Sequence, residues 1–225
     1  MILQALTLTL RLAVLVSLIL TAIGLPLAYW LAFSRWRWKF LVEAVVSLPI
    51  VLPPTVLGFY VLVAIGPLSP LGRWYQSLTG DSLAFTFRGL VIGSVFYSLP
   101  FAVQPMAASF SAVDRKLMDA SAILGASSWL TFWRIVFPLG MAGVLTGIVL
   151  SFAHTLGEFG VVLMIGGNIP GKTRTVSILI YDQVQSLDYA AANRTALLLL
   201  VICFAILAAL YGLRRNRRRT MWGWQ

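Results

Sequence analysis

The chain has 225 residues, of which 60% are hydrophobic and 11% charged. A soluble domain carries roughly 25% charged residues, and at this composition it would expose large apolar patches, so a water-soluble globular fold is excluded in favour of an integral membrane protein. The net charge of +10 then becomes a question of which side of the membrane holds the lysines and arginines, and the single cysteine, Cys203, excludes an internal disulfide and gives redox chemistry little support.

A spanning helix needs roughly 20 apolar residues. Five charge-free intervals meet that need: 12–34, 44–72, 89–113, 135–153 and 195–213. The first is read as a span and not a cleaved leader, because its apolar run exceeds a leader's and no basic residue precedes Arg11. The second exceeds one span and ends in the exit loop "GPLSPLG". It holds Pro49, Pro53 and Pro54 beside Ser47 and Thr55. Each proline removes a donor and disturbs a carbonyl one turn back. Such a cluster predicts either a packing kink or a broken helix beside a polar path, and the second reading is favoured.

The fourth interval continues past His154 to Gly157, just before Glu158. An ionisable group at that depth is a functional candidate. A carboxylate repels an oxyanion, so Glu158 is read as fixing the backbone at Gly157 and Gly160 by accepting nearby hydrogen bonds. His154, four residues earlier, would share its face if the helix ran through. Segment 175–181 is too short to cross and is read as interfacial or re-entrant.

Sidedness follows from seventeen basic residues. Arg35, Arg37, Lys39, Arg115, Lys116, Arg134 and the 214–219 run fall on one side; Arg11, Arg73, Arg88, Lys172, Arg174 and Arg194 fall on the other. The larger group marks the cytoplasm, so the N-terminus is predicted outside and the C-terminus inside. The "RRNRRR" run is read as a topology anchor and not a nucleic-acid patch. Tryptophans 30, 36, 38, 222 and 224 read as interfacial anchors.

Segment 111–138 is then cytoplasmic. Two short helices are predicted in it, with Asp119 in a first turn and Gly125 as a stop; Pro138 sits near the entry to the next span. Within it, Asp119-Ala120-Ser121, three residues, Gly125, nine residues, Ile135, one residue and Phe137-Pro138 resemble the EAA loop of ABC importer permeases. The family has Glu-Ala-Ala and Leu-Pro at the positions where this chain has Asp119, Ser121 and Phe137. The resemblance implies that Asp119, Ala120, Ser121, Ala122, Ile123, Leu124 and Gly125 form a coupling helix that docks on a cytoplasmic ATPase subunit. "LPIVLPPTVLGFYVL", "LGEFGVVLMIGGNIPGKTRT" and "IYDQVQSLDYAAA" further resemble the permease subunit of molybdate and tungstate importers, with sulfate permeases sharing the Gly-Glu-Phe/Tyr-Gly and Gly-Asn-Ile-Pro signatures.

The resemblance implies an all-α polytopic bundle of about five spans, similar to type I ABC importer transmembrane domains, over 1–225 as one permease domain. It also implies a homodimer in the cell inner membrane, two ATPase subunits and an extracytoplasmic oxyanion-binding protein. The path is expected to be lined by hydroxyls and backbone groups, with Pro53, Pro54, Thr55, Ser94, Ser98, Ser151, Thr155, Gly157, Glu158 and Gly160 as candidates. Lys172 and Arg174 follow "GGNIPG" and read equally as solvated or partner-contacting charge, or as anion-steering groups. No catalytic, metal or cofactor site is expected. "GNIPGKT" leaves three residues between Gly167 and Gly171, one short of a P-loop, so ATP would be hydrolysed on another chain. A sulfate permease is the rival within the class. A channel or secondary transporter would not need a docking helix, and an intramembrane enzyme lacks paired catalytic groups.

Overall fold

The computed structural model describes residues 1–208, and beyond them only the course of the last helix to Met221. The side chains of the basic run and the tail tryptophans therefore lie outside the described residues. The described chain is all helix: α1 (Ile2–Phe33), α2 (Lys39–Val51), α3 (Pro54–Ile65), α4 (Pro70–Thr79), α5 (Phe87–Ser111), α6 (Arg115–Ile123), α7 (Ser128–Thr131), α8 (Phe137–Gly157), α9 (Gly160–Gly166), α10 (Val176–Gln185) and α11 (Tyr189–Met221). One π-turn, Phe132–Val136, joins α7 to α8 into a single rod. Pro138 explains its place, since it cannot donate to the turn before it and the ladder must shift around the missing bond.

Four of these helices, Ile2–Phe33, Phe87–Ser111, Ser128–Gly157 and Tyr189–Ala208, are long and apolar enough to cross a membrane. The pair α2–α3, bent by 115°, is apolar enough to count as a fifth if its two halves are taken as one broken span. In the apolar setting the hydroxyls of α1 turn back on their own helix, Thr9 to the Ala5 carbonyl and Ser17 to that of Ala13.

The core lies where α1, α5 and α8 meet. Leu12, Val16, Leu20 and Ala28 of α1 pack with Val103, Met106 and Phe110 of α5 and Val144 of α8. The α5–α8 pair is antiparallel and close because Gly143, Gly147, Ser151 and Thr155 recur every fourth residue along one face of α8. A Cβ on Gly143 would lie 2.4 Å from the Pro105 carbonyl oxygen, and one on Gly147 2.6 Å from that of Ala102. The last span is peripheral, only 11% buried, and α10 packs against both it and the outer end of α1. Thr9 fixes that junction by accepting the Val176 N–H at 3.0 Å.

Two expectations are corrected. The stretch after Gly66 is not all exit loop: Ser69 caps α4 by accepting the Gly72 N–H at 2.8 Å, and Pro70 opens the helix. Asp119 is not in a first turn. The cap is Asp114, which accepts the Lys116 N–H at 2.9 Å, and α6 runs from Arg115, so Asp119 sits mid-helix.

Candidate functional site

Two interrupted helices meet in the outer half of the bundle. The first break is at Leu52–Pro53, where α2 and α3 diverge by 115°. Pro49 sits inside α2 without ending it. Pro53 is the extended residue before α3, Pro54 opens that helix, and the Pro53 carbonyl accepts the Val56 N–H at 2.9 Å. The second break is at Glu158–Phe159, between α8 and α9, where Glu158 is extended. The breaks touch through Gly160, where a Cβ would lie 2.7 Å from Pro54 Cβ. A cavity of about 580 Å³ opens there, bordered by Pro54, Thr55, Tyr97, His154, Gly157 and Glu158.

Depth follows from the α5–α8 register. Ser98 Oγ lies 3.0 Å from Thr155 Oγ1 and 2.9 Å from His154 Nδ1. Ser98 is near the middle of α5, so this layer sits near mid-membrane, at the head of the cavity. His154 is held on three sides, stacked on Phe101 at 3.9 Å, against Tyr97 at 4.7 Å and bonded to Ser98. It does not pair with Glu158: the helix ends at Gly157, and the extended backbone takes the carboxylate off the His154 face.

The expectation that Glu158 accepts hydrogen bonds is also corrected. Its side chain is buried, and neither carboxylate oxygen accepts a bond. The Ser94 hydroxyl is likewise buried and without a hydrogen-bond partner. Unsatisfied buried acceptors cost free energy, typically 1–3 kcal/mol each. Such a debt at a helix break beside a cavity marks a functional position more than a stabilising one.

The structure thus brings Pro54, Thr55, Gly157, Glu158 and Gly160 to one cavity, with Pro53 at its hinge. Ser94, Ser98 and Thr155 form a buried layer behind it, and Ser151 lies one turn deeper, its Oγ bonded to the Ile148 carbonyl. All four hydroxyls are buried where α5 meets α8. Tyr97 and Phe159 are cavity residues that sequence reasoning missed. Their signal was an aromatic side chain one step from a hydroxyl or an acid, which only the long-range register makes specific.

On the opposite face, α6 ends as a Schellman motif: Gly125 has φ +78°, its N–H reaches the Ala122 carbonyl at 3.0 Å, and the Ala126 N–H reaches that of Ser121 at 3.1 Å. Ser121 is buried and bonds Thr131 at 2.9 Å, clamping α6 to α7. Leu117, Ala120, Ile123 and Leu124 form an exposed face, with Ile123 and Leu124 each 86% exposed. At the outer end Arg174 is engaged: it bonds Asn168 and lies 3.5 Å from Asp182, whose carboxylate also holds Asn168. Lys172 stays exposed. Among the described residues no cluster could hold a metal ion.

A bundle of spans with two helices broken at one cavity, and a short amphipathic helix with an exposed apolar face, is a polytopic membrane protein. Residues 24–218 match the family described as "Binding-protein-dependent transport system inner membrane component", and the chain belongs to that family, a multi-pass component of the inner membrane. It is 51% identical over 213 residues to the "Molybdenum transport system permease protein ModB" of Azotobacter vinelandii, covering 95% of this chain and 94% of that one. It is 34% identical to a "Probable sulfate transport system permease protein cysT" of Zygnema circumcarinatum, covering 92% and 71%. Its fold is similar to a chain of a bacterial ABC transporter that imports alginate, at TM-score 0.79 and 18% identity over 95% of this chain and 79% of that one.

Proposed function

We propose that the chain is the transmembrane permease subunit of an ATP-driven importer of molybdate or tungstate. The observation that carries the reading is the exposed face of α6, an apolar stripe ending in a fixed glycine turn on the side the basic residues mark as cytoplasmic. A helix presented that way needs a groove to fill, and a separate ATPase subunit supplies it. Two permease copies, two ATPase subunits and an extracytoplasmic binding protein form the assembly, with residues 1–225 as one permease domain and 111–138 as its coupling loop.

Closure of the ATPases draws the α6 helices together. The motion passes through the Ser121–Thr131 clamp into the α7–α8 rod, and the rod moves the break at Glu158 against Pro54. The oxyanion crosses beside Thr55, His154 and the exposed backbone of the two breaks, groups that bind a dianion weakly enough to release it. Glu158 belongs to the gate between the two breaks and is not a substrate ligand: a buried carboxyl group offers no cationic contact to an oxyanion. Lys172 draws the anion toward the outer entrance, whereas Arg174 holds the "GGNIP" turn through Asn168 and Asp182.

Identity to the molybdenum permease favours the larger oxyanions; the similarity to a sulfate permease supports the second reading, sulfate import. Uptake of radiolabelled molybdate by the complex reconstituted with its ATPase and binding protein separates them. Excess tungstate should abolish uptake and equal sulfate should leave it nearly unchanged. Equal inhibition by sulfate moves the assignment to the sulfate branch.

A further inference from the structure

Arg11 interrupts an otherwise apolar helix, and its height in the bilayer can be read from the helix itself. The 23 residues from 12 to 34 are free of charge. At 1.5 Å per residue they span about 34 Å, the hydrocarbon thickness plus a modest tilt. Arg11 therefore stands at the outer headgroup level, as Arg35 does at the inner. Its side chain is exposed, and among the described residues it has no ion pair or hydrogen bond.

Two cavities join at that side chain. Above it, a space of about 770 Å³ is bordered by Thr7, Ser82, Asp81 and Lys172, with Arg11 as its floor. Below it, an apolar groove of about 440 Å³ runs down α1 past Val14, Leu15 and Leu18. Phe87 lines both. Leu18 is seven residues below Arg11, about 10 Å into the hydrocarbon. The order is cationic pocket at headgroup height and apolar groove beneath, continuous through one arginine.

We propose that this surface binds one phospholipid of the outer leaflet, of the phosphatidylglycerol class. The phosphodiester sits between Arg11 and Lys172, and one acyl chain lies in the Val14–Leu15–Leu18 groove. Two cations against one carboxylate leave a single positive charge, which matches a monoanionic lipid. Asp81 can accept hydrogen bonds from the glycerol hydroxyls, while the net positive charge of the pocket sets the preference over a zwitterionic lipid. The inference does not rest on what the chain transports.

The full chain, purified from nanodiscs of equal phosphatidylglycerol and phosphatidylcholine, is analysed by native mass spectrometry. One phosphatidylglycerol per chain should be retained, with a preference over phosphatidylcholine on the order of tenfold from two basic side chains near the surface. Arg11→Gln with Lys172→Gln should bring the preference close to one. Leu15→Trp, which leaves the charges in place and fills the groove, should lower retention of either lipid. Millimolar inorganic phosphate should not displace the lipid. Equal retention of both lipids by the wild type, an unchanged preference in the double variant at normal monodispersity, full retention in Leu15→Trp, or displacement by inorganic phosphate would each overturn the site as a lipid site.

Discussion

Ala120→Trp is expected to insert into the membrane at wild-type level and to lose the ATPase subunit on co-purification. Ala120 is exposed mid-way along α6, with Leu117, Ile123 and Leu124 on the same face. Among the described residues nothing packs on that face, so an indole there does not disturb the spans. In a groove shaped for alanine it costs about 1–3 kcal/mol by overpacking, roughly a 5- to 150-fold loss of association. Leu124→Asp should do the same by placing an unpaired charge at the centre of the contact. Gly125→Val tests a different cause. Space is not limiting, since a Cβ there would meet nothing within 4 Å. The positive φ is, at about 1 kcal/mol or more, so the turn reopens and α6 tilts. That variant should keep its ATPase and hydrolyse ATP without import. Co-purification of Ala120→Trp and Leu124→Asp at wild-type yield, with normal uptake, would remove α6 from the coupling role.

The second large effect belongs to the two glycines of "GEFG", which do different work. Gly160→Val puts a branched side chain where even a Cβ would lie 2.7 Å from Pro54 Cβ. Pro54 is fixed at the start of α3, so the neighbour cannot give, and the two breaks are forced apart. Folded yield and detergent stability should drop, by at least the 1–3 kcal/mol of overpacking. Gly157→Ala should be near neutral for stability, because a Cβ there meets nothing within 4 Å. Gly157→Leu should fold normally and lose uptake, since it fills the cavity between Thr55 and His154. The check is a thermal melt of the three purified variants beside their uptake rates. A Gly160→Val melt matching that of Gly157→Ala would show that the breaks do not bear on one another.

The spans and the short-helix segment between α5 and α8 were legible in the sequence because their signals are local. Charge-free length marks the four long helices and the bent pair α2–α3, and the fixed spacing from Asp119 to Pro138 marks the segment that carries α6 and α7. Pro53 and Pro54 announced a break for the same reason. The start of α6 was misjudged even though Asp114 is a good cap, because Asp119 four residues on resembles one as well. The hydroxyls were the harder case. Ser151 and Thr155 continue the four-residue rhythm of Gly143 and Gly147, which argues for packing, yet a polar residue in a span equally suggests a path. The register of α5 against α8, which no local pattern encodes, sets which of them face each other. Tyr97 entered the cavity, and His154 turned to Ser98 and away from Glu158, for the same reason: contacts across more than fifty residues leave no periodic trace. Arg174 reads in the sequence equally as a solvated, partner-contacting or anion-steering charge, and its bonds to Asn168 and Asp182 leave no local trace.

The most direct test of the account is the energy source of transport. Proteoliposomes holding this chain, the ATPase and the binding protein are loaded with ATP or with a non-hydrolysable analogue on the ATPase side, and molybdate accumulation is followed. The account predicts accumulation against a gradient only with ATP, only with binding protein present, and none when α6 carries Ala120→Trp. Equal molybdate flux with the analogue, or with the chain alone in the membrane, would identify a channel or a gradient-driven transporter and contradict it.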